Sequence, residues 1–176
     1  MKKILVTGAA GTIGVHVIKY LLSEGKYEIT ALDLRNKRVF NRLKRFKKRI
    51  NIVYGDICDR VLIEALVKDH DIIIHLASSG LPLADMKKGL ADIIDFNGTE
   101  NIVRAINYYN ANSFLFYAST TMLYKASENV TVKNKIELDE FDYYCQAKYR
   151  AEKLIQEKLK NYAIYRLPLI LSAPRE

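Results

Sequence analysis

The chain opens "KKILVTGAAGTIGVHVIKYLLSEG", a β-type run that enters a turn with glycines at 8, 11 and 14 and continues directly into a helical pattern. Few folds accept that order. A strand that turns within a few residues into a helix needs one glycine for the tight turn. A second removes the Cβ that would keep backbone N–H groups from a bound pyrophosphate, and a third lets the helix pack closely on the sheet. Thr12 and Ile13 complete the turn between Gly11 and Gly14. An acid at the end of the next strand strengthens this reading, and Asp33 stands there in "YEITALD", nineteen residues beyond Gly14.

The rest of the chain repeats the alternation. "KILVTG", "YEITALD", "NIVYGD", "DIIIHLAS", "SFLFYAS" and "YAIYRLP" read as six strands with helical patterns or turns between them. "GVHVIKYLLSEG" places Val17, Ile18, Leu21 and Leu22 on one side and stops at a glycine suited to a helix C-terminus. "DRVLIEALVKD" has the same periodicity, with Asp59 as N-cap. Nearly unbroken apolar strands such as "DIIIHLA" belong to a parallel sheet covered on both faces. The expected architecture is therefore α/β, a Rossmann-type doubly wound parallel sheet of about six strands in the order 3-2-1-4-5-6. At 176 residues it fits one domain, 1–176.

Charge narrows the function classes. The net charge is +8, and nine of the 28 Lys and Arg lie between Arg35 and Arg49, where no acid occurs, against 20 acids in the whole chain. In that stretch Val39, Leu43 and Phe46 recur at helical spacing, so it reads as an amphipathic helix with a solvated basic face. No aromatic stacking motif accompanies the charge, and a nucleic-acid partner is not expected. Cys58 and Cys145 form no metal-type cluster, and His16 and His70 belong to no ligand pattern, so no metal is expected. No apolar run is long enough to cross a membrane, and a reduced, cytoplasmic setting is expected.

A carboxylate at Asp33 accepts both ribose hydroxyls of an adenosine and repels a 2′-phosphate, which favours NAD over NADP, although Arg35 and Lys37 lie close by. Without its glycine context Asp33 would be an ordinary turn acid. Asp56 and Ile57, in "GDICD", follow the third strand on the ligand-facing edge of such a sheet, with Asp56 in reach of an adenine amino group. Farther on, "DYYCQAKYR" places Tyr144 and Lys148 four residues apart on one helix face. Alone the pair reads as a packing stripe. Beside each other, however, an ammonium stabilises a phenolate and brings the phenol toward general-base work.

Taken in order, "TGAAGTIG", "ALDLR", "GDICD", "HLAS", "GTEN", "STTMLY" and "YCQAK" resemble the extended short-chain dehydrogenase/reductases, especially the NAD-dependent sugar-nucleotide epimerases and dehydratases. The resemblance covers nearly the whole chain. It implies that His75, Leu76 and Ala77 line NAD along the fourth strand, that Tyr144 and Lys148 are the Tyr-x-x-x-Lys pair, and that Thr120 is the catalytic hydroxyl. Ser119 and Thr121 flank that position. The lysine would also hold the nicotinamide ribose. The implied function is transient hydride transfer between a sugar nucleotide and NAD, as an epimerase or dehydratase; the alternative is a non-catalytic NAD-binding or redox-sensing module. A homodimer through the segments around 90–110 and 144–160 is also implied.

Three departures stand out. Asp95 occupies the place where the family usually has Asn, three residues before Gly98, and Lys125 follows "LY" where glycine is usual. At the end, Leu171, Ser172 and Ala173 replace the turn that leads relatives into a long substrate-binding portion. The C-terminal substrate lobe is thus expected to be largely absent.

Overall fold

Side chains alternate across β1 (Lys2–Thr7): Ile4 and Val6 belong to one core, Leu5 to the other. That division requires cover on both faces of the sheet. In the computed structural model, which describes residues 1–80, 89–124, 136, 138 and 142–168, β1 is covered on both faces. The remaining strands are β2 (Tyr27–Asp33), β3 (Asn51–Tyr54), β4 (Ile72–His75), β5 (Phe114–Thr120) and β6 (Tyr162–Leu167). All pair in parallel, in the order β3-β2-β1-β4-β5-β6, as the alternation predicts. Register places Ile4 beside Ile29 and Ile72.

On one face α1 (Thr12–Glu24) and α2 (Lys37–Leu43) pack Val15, Ile18, Leu21, Val39 and Leu43 onto Ile4, Val6, Ile29 and Ala31. On the other, α3 (Arg60–Lys68), α4 (Gly98–Tyr109) and α5 (Tyr143–Lys158) enclose Leu5, Leu32, Ile73, Leu115 and Tyr117. Local signals set the ends of these helices. Gly25 closes α1 with φ +67°, the Asp59 carboxylate accepts from Leu62 N at the start of α3, and the Asp142 carboxylate caps α5 through Cys145 N.

The basic stretch departs from a single long helix. α2 ends at Leu43, and a 3₁₀ turn over Lys44–Phe46 carries the chain toward β3. Val39, Leu43 and Phe46 are buried as their spacing predicts, while every base in the stretch except the half-buried Arg42 is exposed. Repulsion among like charges on adjacent turns works against a longer helix here. Lys125, Leu171, Ser172 and Ala173 lie outside the described residues. Among the described residues no helix is long and apolar enough to cross a membrane, and no cluster of His, Cys, Asp or Glu is suited to a metal ion.

His75 ends β4 fully buried. Leu76 N and Ala77 N both donate to the Thr7 hydroxyl, which stands 2.8 Å from His75 Nδ1. His75 Nε2 lies 3.0 Å from the Thr99 hydroxyl, which itself donates to the Asp95 carbonyl at 2.6 Å. These partners assign the tautomer. With Thr7 accepting two backbone protons, its own proton goes to Nδ1, and the ring N–H sits on Nε2.

Protonation would place a donor against Thr7. Burial first, and then the Lys148 ammonium, push His75 down to about 3, with Asp95 acting in the opposite sense. The unfolded imidazole titrates near 6.5, so between about 6.5 and about 3 the unfolded chain binds a proton that the native chain does not. Stability present above about 6.5 is therefore lost as pH falls, at up to about 1.4 kcal/mol per pH unit for this group. Burial also depresses His70, so the contribution of His75 is read by difference. Denaturant midpoints measured across this range should fall less steeply for His75→Gln than for the unsubstituted chain; equal slopes would remove His75 from the linkage.

Candidate functional site

The turn after β1 is held by backbone contact on two sides. A Cβ on Gly8, whose φ is +64°, would lie 2.7 Å from Ala77 N, and one on Gly14 would lie 2.5 Å from Gly8 O. Only hydrogen fits at either position. The first contact brings the turn against the chain leaving β4, and the second packs α1 onto its own entry loop. No side chain caps the α1 N-terminus, where Gly11 is the N-cap, so its first N–H groups are left without a side-chain acceptor, as an anion site requires.

Asp33 fastens this turn to the end of β2. One carboxylate oxygen accepts from Ala10 N and the other from Leu34 N, each at 2.8 Å. Each oxygen keeps acceptor capacity for a ligand hydroxyl. Asp56 is exposed and accepts from Cys58 N, while Ile57 is buried against Gly98. Asn101, in the "GTEN" segment, donates to the carbonyls of Ile57 and Cys58 and so fixes the loop after β3. Beside this loop the Cys58 thiol is pushed up to about 11 by burial and by Asp56, which makes it a poor nucleophile.

A cavity of about 320 Å³ lies over the C-terminal ends of β1 to β4. Of the residues singled out from sequence, Gly8, Gly11, Asp33, Asp56, Ile57, Leu76 and Ala77 line it. Thr12, Ile13, Gly14 and His75 are not among its lining residues: Gly14 is a packing contact, and His75 occupies the buried network behind the wall. Asn36, Arg38 and Ser78 also line it and were not singled out for a site. The only sequence signal for Asn36 and Arg38 was proximity to Asp33, and for Ser78 its place as the last residue of "HLAS".

Ser78 leads to a second cluster, because its side chain acts on the Tyr144 phenol. Lys148, one helical turn beyond Tyr144 on α5, is buried, with Nζ 3.2 Å from an Asp95 carboxylate oxygen and donating to Ala118 O at 3.0 Å. Its ammonium stands 5.8 Å from the Tyr144 ring centroid and 4.9 Å from that of Tyr117. Burial raises the Tyr144 phenol above its usual range; Lys148 opposes the shift, Asp95 adds to it, and Ser78 opposes it. Thr120 is buried and accepts from Met122 N at 3.1 Å, capping the short 3₁₀ turn after β5. The Ser119 hydroxyl is buried with no hydrogen-bond partner among the described residues.

Fold and turn together define a Rossmann-type doubly wound domain. The chain belongs to the NAD dependent epimerase/dehydratase family, whose sequence model it matches over residues 4–173. It is 31% identical over 124 residues to a UDP-N-acetyl-alpha-D-glucosaminuronate decarboxylase of Bacillus cytotoxicus, covering 70% of this chain and 38% of that protein. With a UDP-glucose 4-epimerase of Bacillus subtilis it shares 29% identity, over 88% of this chain and 47% of that one. The crystal structure of the Bordetella bronchiseptica enzyme WbmH in complex with NAD+ has the same fold, with a TM-score of 0.81 at 24% identity over 96% of this chain and 56% of that one. The chain thus spans about half the length of the proteins it matches.

Two glycines with nearly equal φ separate backbone strain from contact. Nothing lies within 4 Å of a Cβ on Gly25, so Gly25→Ala should cost only the left-handed penalty, about 1–2 kcal/mol. Gly8→Ala adds the collision with the Leu76–Ala77 backbone and should cost clearly more, about 3 kcal/mol or above. Urea unfolding of the two variants checks the order.

Proposed function

We infer that the chain is the cofactor-holding portion of an NAD-dependent epimerase or dehydratase acting on a sugar nucleotide. The observation that carries this reading is Ser78, which lines the cavity bounded by the glycine turn and whose side chain also acts on the Tyr144 phenol. The proton-handling phenol therefore adjoins a cavity that runs back to Asp33.

The residues present fit NAD. Gly8 and Gly11 of the turn line the cavity, and the uncapped start of α1, at Thr12 and Ile13, offers N–H groups to a pyrophosphate. In this reading Asp33 takes the adenosine ribose, Asp56 and Ile57 the adenine, and Leu76 and Ala77 the middle of the cofactor, with His75 fixing the wall behind them. Lys148 holds the nicotinamide ribose. When bound, NAD supplies a reversible hydride acceptor. Tyr144 accepts the proton of the sugar hydroxyl, and Thr120 orients that oxygen. The names of the relatives, a decarboxylase and an epimerase of UDP-sugars, support a nucleotide-sugar substrate.

Calorimetric titration with NAD+ and NADP+, followed by turnover of UDP- and dTDP-sugars, tests the proposal. Tyr144→Phe should leave NAD+ affinity within about twofold and lower turnover by about 10²-fold or more. Undiminished turnover would remove Tyr144 from the reaction. Asp33→Ala should erode the preference for NAD+ over NADP+, and an unchanged preference would refute the ribose role. Binding without any turnover would instead identify the non-catalytic module.

A further inference from the structure

Asp95 is buried in a π-helical turn (Asp92–Asn97) that runs directly into α4. One carboxylate oxygen accepts from Ser79 N at 3.1 Å and from the Ser79 hydroxyl, and the other faces Lys148 Nζ at 3.2 Å. The carboxylate is thus clamped between the chain leaving β4 and helix α5. Its carbonyl accepts from Thr99, which fixes the turn from below.

The surrounding charges are paired with one another. Glu152, the next turn of α5 beyond Lys148, is buried and bound by both ends of the Arg166 guanidinium, at 2.6 and 2.9 Å. Arg150 pairs with Asp92 and stacks over Phe96 with its guanidinium carbon 4.0 Å from the ring centroid. His75 stays neutral down to about 3. The groups left to act on Tyr144 are Lys148 from its own helix, Asp95 from the π-helical turn, Tyr117 from β5 and the Ser78 hydroxyl from the segment after β4.

We propose that Asp95 is a positioning residue that works with burial to favour the phenol form of Tyr144, by compensating the charge of Lys148. A lone ammonium at this distance would favour phenolate. An ammonium in contact with a carboxylate acts on the phenol as a dipole, whose field falls off faster with distance than that of a single charge. Lys148 Nζ also donates to Ala118 O, besides pairing with the Asp95 carboxylate. Tyr144 is then a hydrogen-bond donor at rest, and it gains base character only when the Asp95–Lys148 pair is loosened. The catalytic meaning of this control rests on the proposed function; the ionisation itself does not.

The test is a ¹³C NMR titration of the full chain with [¹³Cζ]tyrosine, in which the Tyr144 resonance among twelve tyrosines is assigned by its loss in Tyr144→Phe. Without substitution, Tyr144 should remain phenol at about pH 9. Asp95→Asn, which keeps the shape and removes the charge, should lower the midpoint by about one unit, a tenfold rise in phenolate at fixed pH. A merely structural role for Asp95 would not move the midpoint in that direction. An unchanged or raised midpoint in Asp95→Asn overturns the proposal. Should that variant fail to fold, Asp95→Ser is titrated in its place: the same fall in the midpoint supports the assignment, and an unchanged or raised midpoint, or appreciable phenolate at about pH 9 in the unsubstituted chain, overturns it. No cofactor or substrate is present in the titration, so its failure would leave the proposed reaction standing, and failure of NAD+ to bind would leave the titration standing.

Discussion

The backbone of the first turn lies directly against the backbone that leaves β4, and the rest of the site depends on that contact. It exists because Gly8 has no Cβ and because the Thr7 hydroxyl takes the N–H groups of Leu76 and Ala77. These two N–H groups lie just past the end of a strand: the Thr7 carbonyl still accepts from Leu76 N at 3.3 Å, and the Thr7 hydroxyl serves both. The hydroxyl that does so also sets His75, and His75 sets Thr99. A single threonine therefore links the phosphate-type turn, the exit of β4 and the start of α4.

Much of the fold was legible because it follows from local rules. The apolar runs, the helical periods between them, Gly25 and Asp59 each specify their own neighbourhood, and a right-handed parallel crossover leaves few strand orders to choose from. Seven of the residues named for the cofactor line the cavity for the same reason, since they sit at strand ends on one edge of the sheet. What was not legible is pairing between distant segments. Asp95 stood out in the sequence only as an acid where the resemblance leads one to expect Asn, with nothing to join it to Lys148 and Ser79. Nor did the pattern "IIIHLA" reveal whether the histidine ring meets a ligand or two threonines, because Thr7 and Thr99 come from different elements.

Buried charges show what the fold gives up to hold this geometry. Taking an ion pair out of water costs desolvation that its attraction only partly returns, and apolar residues of similar size would often be as stable. Two such pairs nevertheless meet α5: Lys148 with Asp95 and Glu152 with Arg166. Each is supplemented by hydrogen bonds, from Ser79 to Asp95 and from Arg166 to the Tyr124 hydroxyl, which offset part of the desolvation. Leaving either partner alone would strand a charge in the interior, a larger cost than never having built the pair.

The two pairs also explain how α5 is oriented. Lys148 and Glu152 are four residues apart, so both project from one face of the helix toward the sheet. Their partners come from different elements, Asp95 from the π-helical turn before α4 and Arg166 from β6. Rotation of the helix about its axis would take Ala147, Ala151 and Ile155 out of the core, and the two ion pairs add to that restraint. Held at two points by opposite charges with fixed partners, it cannot rotate without stranding one of them. Tyr144 lies one turn before Lys148 on that same face, so its position near Ser78 is fixed by this ionic restraint together with its packing against Ala91 and Ala147.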